Sequence, residues 1–117
     1  MSAMQEQLLT LLSGATDAGT RIYPNASPDK PARPYLVYTR ASSNSENVLG
    51  GYGGIMNTRI QIDAYADSYA AAQALASQVD ALMRAWALQN VSYPAIDQYE
   101  PETRLHRVIL EYSVWHG

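Results

Sequence analysis

Eighteen residues near the C-terminus, 99–116, constrain this chain more than any other stretch. Tyr99-Glu-Pro-Glu-Thr-Arg-Leu-His-Arg-Val-Ile-Leu-Glu-Tyr-Ser-Val-Trp-His116 opens with an acidic, proline-marked turn and continues as a long alternating run. Val108, Leu110, Tyr112 and Val114 fall on one side, with Arg107, Glu111 and Ser113 on the other. Successive side chains of a strand point to opposite faces, so this period of two predicts a half-buried antiparallel strand. The second side also carries Ile109 and Trp115. Large apolar groups on a face that should meet water predict a partner that covers them. That points to assembly rather than catalysis.

The rest of the chain supplies the elements such a strand needs. Ser2 and Gln5 read as a capping box for a short helix that carries Met4, Leu8, Leu11 and Leu12 on one stripe and stops near Gly14. Arg21-Ile-Tyr-Pro24 follows, and from there prolines at 24, 28, 31 and 34 predict a fixed extended loop. Tyr35-Leu-Val-Tyr-Thr-Arg40 has strong strand propensity. Residues 42–54 are polar and then glycine-rich, a composition expected of a flexible β-arm or loop. In Met56–Ala64, Met56, Ile60, Ile62 and Ala64 alternate with Arg59, Gln61 and Asp63. Asp67 or Ser68 is placed to cap a second helix reaching about Trp86, with Ala72, Leu75, Ala76, Val79, Leu82, Met83 and Trp86 at helical spacing. Leu88–Tyr93 can form a short strand, and Pro94–Pro101 reads as the loop back into the terminal one. The expected fold is therefore one α+β domain over residues 1–117. It has an antiparallel four-stranded sheet, two helices packed on one face, and the order α-β-β-α-β-β.

Composition narrows the function. A net charge of −3, with scattered basic residues, lacks the clustered cations that nonspecific nucleic-acid binding requires. No run of eighteen apolar residues marks a membrane span, and the N-terminus has no secretory pattern. There is no cysteine, hence no disulfide and no thiol chemistry. Charged residues make up 16% of the chain against about 25% in typical domains, which leaves a neutral polar surface suited to subunit contacts. Nine tyrosines and two tryptophans, with no phenylalanine, supply rigid rings with polar tips.

Chemical sites are poorly supported. His106 and Glu102 flank a turn, but no activated nucleophile or third group stands at a telling spacing. Two histidines ten residues apart on one strand do not make a metal site. Gly50-Gly-Tyr-Gly-Gly54 lacks the Lys-Ser/Thr of a phosphate loop. Glu100 and Glu102, around Pro101, fit either a solvated turn or a salt bridge to a neighbour's arginine.

Four segments, in order along the chain, resemble the phage tail-completion family: Arg21-Ile-Tyr-Pro24, Pro34-Tyr-Leu-Val-Tyr38, Arg59-Ile-Gln-Ile-Asp-Ala-Tyr-Ala66 running into the alanine-rich helix, and Tyr99–Val108 leading to Tyr112-Ser-Val-Trp-His116. The resemblance implies a structural protein of the virion, assembled in the host cytoplasm. Its relatives cap the head-proximal end of the tail tube as a ring, expected to be sixfold, which ends tube polymerisation and joins tail to head. The implied partners are other copies of the chain, the tail tube protein and the head's connector or neck protein. DNA is only cargo in the lumen, and no cofactor and no membrane are involved. Tyr52, Arg59, Asp63, Arg107, Ile109, Glu111 and Trp115 are the candidate partner contacts. The alternatives are a capsid-side neck subunit, or a small-molecule-binding α+β domain, which would require ionisable groups converging on a pocket.

Overall fold

The computed structural model describes residues 3–25, 32–48 and 51–116, with only the backbone described for residues 3, 5, 41–48 and 51–56. Two helices and six strands follow in the order α1 (Ala3–Leu12), β1 (Ile22–Pro24), β2 (Tyr35–Val48), β3 (Gly51–Ala66), α2 (Tyr69–Ala85), β4 (Asn90–Ser92), β5 (Ile96–Glu100) and β6 (Leu105–His116). The class is α+β, as the patterning predicts. The sheet differs from the expectation in having six strands, arranged β1-β2-β3-β6-β4, with β5 also pairing to β6. It is mixed rather than purely antiparallel, because β1 runs parallel to β2 in the register Ile22↔Leu36 to Pro24↔Tyr38.

Alternation decides the long strands. On β3, Ile60, Ile62, Ala64 and Ala66 are buried, and on β6 so are Val108, Leu110, Tyr112 and Val114. The register Ile60↔Tyr112, Ile62↔Leu110 and Ala64↔Val108 places these residues side by side on one face. Leu36 and Tyr38 of β2 extend the same layer. Above it lies α2, which buries Ala72, Leu75, Ala76, Val79 and Met83. The helix begins at Ser68, whose hydroxyl accepts a hydrogen bond from the Ala71 amide at 3.1 Å, satisfying one of the donors a helix N-terminus leaves open. Helix α1 adds Met4, Leu8 and Leu12 to the same core. It ends where Gly14 takes φ +75°, a backbone conformation that costs glycine nothing. The capping box read at Ser2 and Gln5 lies outside the described residues.

One difference has a local cause. Pro94 to Pro101 holds the strand β5 rather than a plain loop. Proline cannot donate to a ladder, but flanking prolines are tolerated on an edge, and β5 is an edge strand. β4 and β5 therefore share one side of β6: β4 takes Tyr112–Val114 and β5 takes Leu105–Ile109. Of the two readings of the run 42–54, β-arm or loop, the structure has the arm, a paired hairpin along its described length. β2 and β3 stay in register out to Val48↔Gly51, with shifts between Arg40 and Ser42 and between Glu46 and Asn47.

Candidate assembly interface

The face of the sheet away from the helices is not uniformly wet. Tyr35, Val37 and Leu105 are buried there, with Tyr23 and Tyr65 packed against them. The Tyr35 and Tyr65 rings stack at 4.8 Å between centroids, and Tyr23 tilts against Tyr35 at 6.0 Å. Burial pushes the Tyr65 hydroxyl up to about 12, with the nearby Arg107 opposing the shift and the Asp63 and Glu100 carboxylates adding to it.

A row of polar pairs continues across this face. Arg107 donates to Asp63 at 2.8 Å, and the Asp63 side chain is only 6% exposed. The amide of Gln61 donates to the same carboxylate at 3.0 Å. Burial alone would lower the Arg107 guanidinium; the hydrogen bond and charge of Asp63 outweigh it, so the net shift is upward. Arg59 pairs with Glu111 at 3.2 Å, and its guanidinium lies 4.2 Å from the centre of the Tyr93 ring. Asn57 donates to the Ser113 hydroxyl at 2.7 Å. Four of the candidate contacts thus form two pairs within the chain, Arg107 with Asp63 and Arg59 with Glu111. Ile109 and Trp115 are half-buried rather than bare. Ile109 has Ile96 of β5 as its cross-strand neighbour, and that strand is absent from the sequence-level expectation. The side chain of Tyr52 lies outside the described residues.

The apolar surface that does meet water lies at one edge. Among the described residues the exposed large hydrophobic side chains are Val91, Tyr93, Ile96, Tyr99 and Tyr69. The first four sit on β4, on β5 or between them. Tyr69, at the start of α2, joins them through His106, whose ring lies 6.2 Å from that of Tyr69 and 4.9 Å from that of Tyr99. Asp97 ties β5 to α2 by accepting from Gln73 at 2.9 Å and Tyr69 at 3.5 Å. Single exposed apolar residues are ordinary, but their concentration on one strand edge is what an interaction surface looks like. Sequence reasoning missed this edge, although β-prone Val91, Tyr93, Ile96 and Tyr99 recur every two or three residues across it.

Among the described residues, the clefts between α2 and the sheet bring together no converging chemistry. Two shallow hollows between α2 and the β4–β6 edge share Asp80, Arg84, Ser92 and Tyr112. Their ionisable groups neutralise one another: Arg84 pairs with Asp80 at 2.8 Å, and the Tyr112 hydroxyl donates to Asp80 at 3.1 Å. Burial, reinforced by Asp80, raises the Tyr112 hydroxyl well above its ordinary value. His116 hydrogen-bonds the Thr58 hydroxyl at 2.7 Å. Among the described residues no three His, Asp or Glu side chains gather as a metal site would require.

Comparison with known proteins identifies the family. The sequence profile described as Tail completion protein gp17 matches residues 2–117. The chain belongs to this family. As a tail-completion protein it is a structural component of a phage virion and not an enzyme. A search of curated proteins found no match. Among solved structures, a chain from "Virion of native gene transfer agent (GTA) particle" superposes with a TM-score of 0.51 at 18% identity, covering 97% of this chain and 90% of that one. At that identity the likeness concerns the fold alone. The tail-completion fold of this chain therefore has a counterpart in a virus-like particle.

Proposed function

We propose that this tail-completion protein caps the head-proximal end of a tail tube as a closed ring, expected to be sixfold, ending tube growth and offering a surface to the head's connector. The observation that carries the reading is the exposed aromatic and aliphatic edge formed by Val91, Tyr93, Ile96 and Tyr99 on a protein whose family places it in the tail. A ring needs one patch to meet a different patch on the neighbouring copy. Among the described residues the sheet is open at both ends, with β1 at one and β4–β5 at the other. Such edges present unpaired backbone groups and invite pairing unless something covers them. The tube protein, the connector and further copies are the partners in this reading, and DNA passes through without recognition.

Deleting the gene from the phage that encodes it tests the proposal. The expected result is tubes of irregular or excess length that fail to join heads, with infectivity restored when the protein is supplied. Normal tubes attached to filled heads in the deletion strain would refute it.

A further inference from the structure

We infer that the β4–β5 edge of one copy docks against the β1–β2 edge of a second copy, with Glu100 and Glu102 facing Arg40 around an apolar centre of Tyr93, Ile96 and Tyr99. The inference rests on the ring reading and assigns its interface.

Both edges lack a neighbour among the described residues. β5 pairs only with β6, so its outer side is open from Ile96 to Glu100. On the opposite border β1 covers β2 only as far as Tyr38, and the outer side of β2 is open from Thr39 onward. Arg40 stands just past that end and is exposed.

The charges on the two borders differ in sign. Glu100 and Glu102 are in no ion pair among the described residues, and Asp97 accepts only from the neutral donors Gln73 and Tyr69. Arg104 sits on the same turn and Arg107 reaches Gln98 of β5, but Arg107 is neutralised by Asp63, so the three carboxylates leave that edge net negative. Arg40 is likewise in no ion pair among the described residues, whereas Arg33, ahead of β2, is held by Asp67 at 2.7 Å. Arg21 spends its donors on the carbonyls of Pro34 and Asp17, and the Asp17 carboxylate, which accepts from Gln78, offsets its charge nearby, so Arg40 is the positive group this border offers.

Sign also decides between the two ways copies can meet. Pairing two β5 edges with each other would set Asp97, Glu100 and Glu102 against their own equivalents, and like charges across an interface cost several kcal/mol. Pairing unlike edges avoids this. It is also the heterologous contact that repeats from copy to copy and closes into a ring. The exposed tyrosines and Ile96 would then form the water-excluded centre, with the charged pairs at its rim.

The test is a charge swap read on tail tubes. Glu100→Arg and Arg40→Glu are each expected to raise the protein concentration needed to cap tubes by about tenfold, and the double variant to return close to wild type. Circular dichroism checks that both single variants fold; Arg40 is exposed, and Glu100 is half-buried at the end of β5. Capping by either single variant at the wild-type concentration, or a double variant no better than the singles, overturns the inference and leaves the ring reading standing. If the wild-type protein caps no tubes, the ring reading fails and this inference with it. Because the chain contains no cysteine, the pair Arg40→Cys and Glu100→Cys in one chain gives a second readout. A covalent ladder of several copies on oxidation supports the assignment. Dimers from Glu100→Cys alone would mean that two β5 edges meet, and would overturn it.

Discussion

Replacing Asp63 probes how firmly the outer face is built into the isolated subunit. Its carboxylate is 6% exposed and takes hydrogen bonds from Arg107 at 2.8 Å and Gln61 at 3.0 Å. Asp63→Ala leaves the Arg107 guanidinium without its counter-ion while its Nε already has no acceptor. Breaking a fully buried pair by removing one partner costs about 3–5 kcal/mol. Arg107 keeps 24% of its side-chain exposure and has Gln98 at 3.4 Å, so water and the amide recover part of that. The expected loss is about 2–3 kcal/mol, or a fall in Tm of about 10 °C for a domain of this size. Arg107→Met should cost a similar amount, because it strands a buried carboxylate. The double variant Asp63→Ala/Arg107→Met removes both charges together and should cost clearly less than the sum of the two single losses. Urea unfolding followed by tryptophan fluorescence and circular dichroism measures all four proteins. If the single losses simply add in the double variant, or if Asp63→Ala costs less than about 0.5 kcal/mol, Asp63 and Arg107 are not a coupled buried pair and the reasoning fails.

Stability should fall at high pH. Tyr65 and Tyr112 hold their protons above the ordinary tyrosine value of 10.0, Tyr65 to about 12. The folded state thus keeps protons that the unfolded chain gives up, so the contribution is complete below pH 10 and is lost as pH rises through the folded values. Tyr112→Phe should flatten that alkaline decline, and an unchanged decline in the variant would contradict the assignment. Ser68→Ala should cost about 1 kcal/mol by removing the cap on the Ala71 amide, read as a lower urea midpoint with unchanged slope.

What the sequence disclosed follows from where burial leaves a periodic mark. β3 and β6 each have one face pressed against helices, so Ile60, Ile62, Val108, Leu110, Tyr112 and Val114 alternate and are found without coordinates. The stripe of α2 is visible for the same reason at its own period. β1 and β5 are three and five residues long, lie at sheet edges and touch prolines, so neither carries enough alternation to register. The parallel pairing of β1 with β2 joins segments separated by a proline-rich stretch, and no local pattern encodes it. In the hairpin beyond Arg40, a polar and glycine-rich composition left arm and loop both open, because the pairing depends on backbone hydrogen bonds. The same gap affected the interface. With β5 unseen, Ile109 looked uncovered, while the residues left most open were Val91, Tyr93, Ile96 and Tyr99 on the border next to it.

The central claim is that this chain acts by fitting copies of itself together at the end of a tube. It is met most directly by adding purified protein to tail tubes isolated from the deletion strain and imaging their ends by electron microscopy. A closed ring of repeated subunits on one end of each tube, with growth halted there when free tube protein is supplied, is the predicted result. Bare ends that continue to elongate in the presence of folded, abundant protein would contradict it.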